Sequence, residues 1–594
     1  MKELEKIITK STVSIESIKK KLNLVSYLRI IFFILTVTEV FRGFSKSIYY
    51  DFFFGFIFFV TLIFLVSKSN DLSKKIDFLY NINETCREIK NQGLKNDTRL
   101  SYNPNPNHPF SGDLDIFGEN SLSARINRCN TSFGIKSLNH KLQNLILTAN
   151  DINNRQNAIK ELSTKIEWCV NFLASTRPIN QNSTIKKENN LFLILKQDKL
   201  KTPLVKILLI IVPIFNIMIC ILTLLFNLNP LTLAFPILIS GIITKIYSST
   251  IKEIYTSVNI KSNELKKYIP ILYTVEQELF VSSELESIQR KLILSGEIKS
   301  SELIKNLSEL IDLFDNRNIL IFGTLINILF LWDLQCAYKV EKKLTKHTPD
   351  ILKWLEVIGE FESLICFSLF AYQNKDFNYP LCSDESNMIN MINFSHPFIP
   401  KERRIYNDFF TNNTNIITII TGANMTGKST FLRSIGINMV LAMNGCPVCA
   451  KSLIFHPVSL FTSMRTNDSL VDGSSYFNSE IKRLRLLIEK LENNEPQFIL
   501  LDEILKGTNS VDKLNGSKMF LEKIIKMKNL TNCVIATHDL ELTKIEYKYP
   551  ANILNYCFEL HNNNGVLEPD YKLQKGVTKS MNAIELMRRN KIID

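Results

Sequence analysis

The chain has 594 residues with 71 Lys+Arg against 58 Asp+Glu, a net charge of +13, 45% hydrophobic and 22% charged residues. At roughly 150 residues per domain this is about four units, with ample core. The composition excludes a disordered tail, a collagen and a small disulfide scaffold. The modest basic excess fits an acidic partner, nucleic acid or anionic lipid, without choosing between them.

The first twenty residues read as a polar, amphipathic helix rather than a cleavable leader. Two apolar blocks follow, Ile30 to Phe41 and Ile48 to Val66, joined by a short polar link at Arg42, Gly43, Ser45 and Lys46. They predict a first membrane hairpin with a weak first span, since Arg29, Glu39 and Arg42 would have to snorkel. Residues 70–200 read as a soluble, mostly helical block. It is broken by an Asn/Pro loop at Asn103–Pro109, and helical pattern resumes from Leu122 to about Leu173. Ile207 to Thr244 holds no charge. That is right for two spans of about 20 residues each, with Asn227-Leu-Asn-Pro230 as the turn. Lysines flank the outer ends of both hairpins: Lys19–Lys21, Lys68, Lys74 and Lys75, then Lys201, Lys206, Lys245 and Lys252. The positive-inside rule then places all soluble parts in the cytoplasm, and a bacterial inner membrane is the expected location. Buried core helices are the competing reading of both hairpins. Residues 246–375 read as almost wholly helical. Within them, the apolar run Ile319 to Trp332 is too short to span and reads as a buried helix.

From about Phe394 short β-branched runs alternate with helices, the pattern of a parallel α/β sheet. Ile416 to Thr421 reads as a buried strand leading into Gly422-Ala-Asn-Met-Thr-Gly427-Lys428-Ser429-Thr430. This is G-x-x-x-x-G-K-[ST] between strand and helix, the setting in which backbone N–H groups cradle phosphates. Lys428 is placed for the β- and γ-phosphates of ATP and Ser429 for Mg²⁺. Phe498-Ile-Leu-Leu-Asp502-Glu503 reads as a second strand, with Asp502 in the Mg²⁺ shell and Glu503 as general base. A third strand, Asn532 to Thr537, delivers His538, placed to sense the γ-phosphate. The eleven cysteines are scattered and read as buried thiols. The Cys446-Pro-Val-Cys449 pair lacks partners for a zinc site.

These motifs resemble the MutS family of ABC-class ATPases. The glycine loop keeps that family's Asn424-Met425 pair. Asp502-Glu503-Ile-Leu-Lys-Gly507-Thr508-Asn-Ser510-x-Asp512 is similar to its Walker B and dimer-contact loop. Asp468 to Glu480, with Gly473, Ser475 and Phe477, resembles its signature segment. The resemblance implies that Ser475 meets the γ-phosphate held by a partner subunit, and that Thr537-His538 is the switch. His396-Pro397 and Asn407-Asp408 resemble the start of the ATPase domain. Tyr571-x-x-Gln574-x-Gly576 resembles its close, with Tyr571 stacking on adenine. Upstream, Ser121 to Gly134 and Asp151 to Ile159 resemble the helical core. The departures lie in both halves, and within the glycine loop Ala423 and Thr426 differ from the commonest residues. A hairpin replaces the mismatch-reading domain, and a second one falls near the lever and clamp. Phe117-Gly-Glu119 has a reader's letters at the wrong place. Arg404 stands where a base-stacking aromatic is usual.

The expected fold is multidomain: two α-helical transmembrane hairpins, an all-α core and lever region, and a C-terminal α/β P-loop ATPase domain of the ABC class. The expected units are 1–80 with the first hairpin, 81–200 the first part of the core, 201–250 the second hairpin, 251–390 core and lever, and 391–594 the ATPase domain. The cofactor-binding set is Gly422, Asn424, Met425, Gly427, Lys428, Ser429, Thr430, Ser475 and Tyr571. The catalytic pair is Glu503 and His538, and the metal ligands are Ser429 and Asp502. The leading function is a membrane-tethered, dimeric ATP-hydrolysing switch related to mismatch repair. Double-stranded or branched DNA and membrane lipid are its expected partners. An ATP-driven transporter and a non-hydrolysing scaffold are the alternatives.

Overall fold

The structure is a computed structural model. It describes residues 2–46, 49–91, 108–180, 199–226, 228–293, 298–315, 320–385, 387–411, 416–464, 476–527, 530–563 and 566–579. It is mostly helical, with an α/β region at the C-terminal end.

Helix α1 (Lys2–Lys46) and helix α2 (Tyr49–Lys90) pack along each other. Leu4, Ile7, Ser11 and Ile15 recur at spacings of three and four and are buried, so the amphipathic reading holds at this end. The expected polar link at Arg42–Lys46 is instead the last turn of α1. No proline stops the helix there, and Gly43 fits because a Cβ would meet the Phe52 ring at 2.9 Å. Helix α2 runs unbroken through residue 80, where a domain boundary was expected.

Five short-to-medium helices build a helical core: α3 (Leu122–Ile126), α4 (Ser132–Gln143), α5 (Ala149–Thr164), α6 (Ile166–Asn180) and, later, α9 (Ser283–Arg290). Ser121 and Thr131 cap α3 and α4 by accepting backbone N–H groups, as N-cap hydroxyls do. The second apolar pair is α7 (Pro203–Leu225) and α8 (Ala234–Gln277), and Asn229 caps the turn between them. Four helices are long and apolar enough to cross a membrane: Lys2–Ser45, Tyr50–Lys90, Pro203–Leu225 and Pro230–Thr256. Helix α8 continues well past residue 250 into the helical core, where Leu265, Ile271, Leu272 and Val275 are buried.

After α10 (Ser300–Asp315) comes the short apolar α11 (Leu320–Phe330), then α12 (Trp332–Gln373). The expectation of a buried helix over Ile319–Trp332 needs correcting. Leu325 is 56% exposed and Phe330 38%, because α11 lies against the second apolar pair rather than inside the core. Helix α12 binds the molecule together. Its fully buried Glu362 accepts from Asn130 N (3.0 Å), Thr131 N (3.1 Å) and the Thr131 hydroxyl. Gly359 allows this approach, since a Cβ would stand 2.5 Å from the Phe133 carbonyl carbon.

A small sheet follows, of β1 (Leu381–Cys382), β2 (Ile389–Phe394), β3 (Asn407–Phe410) and β5 (Ser452–Phe455), in the order β1-β5-β2-β3. The main sheet runs β10-β9-β4-β8-β7-β6. Its members are β4 (Ile417–Gly422), β6 (Ser459–Ser463), β7 (Gln497–Asp502), β8 (Leu530–Thr537), β9 (Ile553–Asn563) and β10 (Val566–Lys575). All neighbours pair parallel except β10 with β9. Both faces are covered, which is why these strands read as continuous apolar runs. On one face Phe498, Leu500, Val534 and Ala536 join the core around α13 (Lys428–Met443). On the other, Ile499, Leu501, Cys533 and Ile535 meet α14 (Tyr476–Glu492) and α15 (Ser510–Ile525).

Candidate functional site

Strands β4, β7 and β8 end side by side, the place where open parallel sheets bind ligands. The turn from β4 into α13 is the glycine loop. Gly427 takes φ +97°, and a Cβ there would stand 2.9 Å from the Tyr571 ring. Only glycine combines that backbone with that approach. Met425 is also left-handed, at φ +65°, and 81% exposed at the crest. Asn424, Ser429 and Thr430 are exposed around it. Ala423 and Thr426, the two unusual letters of the loop, are buried, and the Thr426 hydroxyl donates to Ala423 O (2.9 Å). Lys428 Nζ donates to Gly422 O (2.8 Å) and Ala423 O (2.9 Å). Burial pushes its ammonium down to about 8, against the pull of Asp502 and Glu503. The loop therefore presents the free N–H groups of a helix start beside a buried cation, an arrangement suited to phosphate.

Across from the loop, Asp502 is the last residue of β7, in register with Ala536. Glu503 follows at φ +58°, its N–H donating to Ala536 O (2.9 Å). A left-handed glutamate is strained and persists only where its surroundings hold it. Its carboxylate pairs with Lys513 of α15. Burial pushes the Glu503 carboxyl up, but Lys513 more than reverses this, and the net shift is downward. His538 sits just after β8. Burial and then Lys428 hold it below the ordinary imidazole value. The structure thus brings Lys428, Asp502, Glu503 and His538 into mutual electrostatic reach.

Behind this cluster, buried Glu480 of α14 accepts from Leu505 N and Lys506 N (3.0 Å). Gly507 lies under Phe477, where a Cβ would meet the phenylalanine Cβ at 2.9 Å. Helix α14 and the loop after Glu503 are therefore held against each other. Asp468, Gly473 and Ser475 lie outside the described residues.

Beside Gly427 a cavity of about 270 Å³ is lined by Ser395, Arg403, Ile405, Asn407, Phe431 and Tyr571, among others. Asn407 fixes the ring's backbone: its Nδ2 donates to Tyr571 O (3.0 Å), and its Oδ1 accepts from Leu573 N (2.9 Å). Arg404 turns away. It donates to Ile399 O (2.8 Å) and Pro397 O (3.2 Å) and pairs with Asp376 (3.1 Å), so Ile405 lines the cavity in its place.

Sequence reasoning missed Lys513, Ile405 and Arg483. Arg483 of α14 donates to His108 O (2.9 Å), Pro109 O (2.7 Å) and Thr462 O (2.9 Å). It ties the start of the core segment to the sheet. None of the three belongs to a motif. Phe117 packs against the core next to Leu114 and Ile116, so it serves packing. Cys446 and Cys449 are buried, and burial pushes both thiols well up, which leaves them inert. Among the described residues no cluster of His, Cys, Asp and Glu could hold a metal ion.

A family model described as MutS domain V matches residues 418–592. The DNA mismatch repair protein MutS of Petrotoga mobilis is 28% identical over 320 residues, 53% of this chain and 34% of that protein. MutS protein homolog 4 of Homo sapiens is 32% identical over 258 residues, 41% of this chain and 26% of its own. The MutS of Orientia tsutsugamushi is 32% identical over 228 residues, 37% and 25%. The chain thus matches about a third or less of the length of these relatives.

Proposed function

Because this chain belongs to the MutS family, we propose that it is an ATP-hydrolysing switch, tethered to a membrane through its two apolar hairpins. The observation that carries this reading is the convergence of Lys428, Asp502, Glu503 and His538 on the glycine loop. Lys428 leaves its two carbonyl partners to meet the β- and γ-phosphates. The first turn of α13 donates its N–H groups, and the adenine lies against Tyr571 in the cavity beside Gly427. Ser429 and Asp502, at the mouth of the loop and the end of β7, would hold Mg²⁺, which neutralises phosphate charge when bound. Glu503 accepts the proton of the attacking water once Lys513 releases it, and His538 reads the γ-phosphate. Two chains close over two nucleotides through their ATPase domains, each Ser475 completing the other's site. Closure moves the helical core, and hydrolysis reopens it.

Glu503→Gln keeps the shape and removes the base. Turnover should fall by about a hundredfold or more, while ATP binding persists and light scattering reports a trapped dimer. Wild-type turnover in this variant removes Glu503 from the mechanism.

The relatives are named for DNA mismatch repair, and we extend that to DNA binding of double-stranded or branched form, without mismatch reading. Binding by the full chain in detergent should depend on nucleotide and fall with salt in proportion to the phosphates engaged. No binding at low salt, with or without ATP, sinks this part and leaves the switch.

A further inference from the structure

Helix α11 (Leu320–Phe330) contains no charged residue and spans about 16 Å, half a bilayer core. It packs against both helices of the second hairpin and against α12. The centre of that contact is polar. Asn216 Nδ2 donates to Ile328 O (2.8 Å) and to Ser240 Oγ (2.9 Å), and Ser240 Oγ donates to Ile328 O (2.7 Å). Asn216 and Ser240 are fully or almost fully buried, while Ile214, Ile217, Ile237 and Leu238 around them are exposed.

Asn216 stands near the middle of the 23-residue α7. A helix of that length crosses the hydrocarbon once, so its middle lies near the bilayer mid-plane. The Ile328 carbonyl, bonded to Asn216, lies at the same depth. A helix ending there would leave carbonyls bare in hydrocarbon, at a cost of several kcal/mol each. The chain meets that demand. Besides Ile328 O, Asn327 O accepts from Leu331 N (2.9 Å), and Phe330 O accepts from Gln335 Nε2 (2.8 Å). Asn327 Oδ1 in turn accepts from Asp333 N (3.1 Å), across the left-handed turn at Leu331. Tyr247, Tyr255 and Trp332 pack against a neighbouring apolar cluster of Val205, Phe314 and Leu331.

Resting on the membrane reading above, we propose that α11 is a third intramembrane element, a re-entrant apolar helix. Its C-terminal end is pinned near the mid-plane by Asn216 and Ser240, and its Leu325–Phe330 flank faces lipid acyl chains. Helix α12 begins two residues later, so the helix that joins the soluble core is itself rooted in the bilayer.

The test uses the full chain in phosphatidylcholine vesicles, with Cys220 and Cys382, the two half-buried thiols, replaced by Ala. A fluorophore is placed on Leu325→Cys and, separately, on Ile214→Cys. Nitroxide carried mid-way along the acyl chain should quench both several-fold more than aqueous iodide does. Lipid quenching at position 214 with iodide quenching at position 325 overturns the α11 proposal and leaves the hairpin in place. Iodide quenching at both positions overturns the membrane reading as well.

Discussion

The two halves of α12 are held in different ways. From Phe361 to Phe370 every residue is buried, and the charged member of that stretch, Glu362, is met by three donors. From Trp332 to Asp350 only one stripe is buried: Leu334, Cys336, Ala337, Val340, Glu341 and Leu344. Glu341 accepts from Lys199 N and Leu200 N (both 2.9 Å), just ahead of the second hairpin. The C-terminal half is a joint, packed on all sides beside the sheet. The N-terminal half is an arm, with one face on its neighbours and the other not covered by protein. Helix α12 thus connects the core beside the glycine loop with the second apolar pair.

The largest effect should separate joint from arm. Glu362→Ala strands two buried N–H groups and the Thr131 hydroxyl, and should cost about 3 kcal/mol or more. Glu341, 7% exposed against 0% for Glu362, meets two backbone donors, and Glu341→Ala should cost less, about 2 kcal/mol. Denaturant titration of both variants in detergent reads the difference. Equal losses would mean that the two halves are held alike, and the distinction would fall.

The next prediction concerns the end of the joint nearest the glycine loop. Cys366, Phe367 and Phe370 share one core with Phe431, Leu432 and Ile435 of α13, the helix that starts at Lys428. Lys428 is charged below about 8 and neutral above it. Phosphate binds the charged form, so affinity for Mg-ATP is full below that pH and lost as pH rises through it. The loss approaches tenfold, about 1.4 kcal/mol, per unit of pH. Calorimetric titration from pH 7 to 9 should show this fall, and Lys428→Ala should bind weakly with a flat profile. A flat profile in the unaltered protein would show that its ammonium is already charged throughout.

How much of this was written in the sequence follows the same division. That the glycine loop, Asp502, Glu503 and His538 come together was legible from their fixed offsets after apolar strands, and β4, β7 and β8 were legible because both faces are buried. The apolar hairpins were legible from hydropathy, and four long apolar helices carry them. What escaped depends on neighbours distant in the chain. Lys513 reaches Glu503 from the next helix, Arg404 is drawn off by Asp376, and Asn216 meets a carbonyl 112 residues away. The turn of the first hairpin was misplaced because polar letters alone do not end a helix. Arg42 to Lys46 stay helical, with Phe52 closing over Gly43.

The smallest predicted effect lies where the arm meets the joint. Pro349 sits inside α12 and cannot donate to Thr345 O. The hydroxyls of Thr345 and Thr348 instead donate back to Glu341 O and Leu344 O, both within the preceding turn. That leaves a weak point one residue before Asp350, ahead of the stretch from Phe361 to Phe370 where every residue is buried. Pro349→Ala restores the donor and should raise stability by about 1 kcal/mol, since tertiary packing already absorbs part of the usual penalty. Stiffening should also slow exchange of the amides between Thr345 and Asp350, measured by hydrogen–deuterium exchange, while leaving those of Phe361 to Phe370 unchanged. If the gain in protection spreads evenly along α12, the helix moves as one rod and has no hinge between arm and joint.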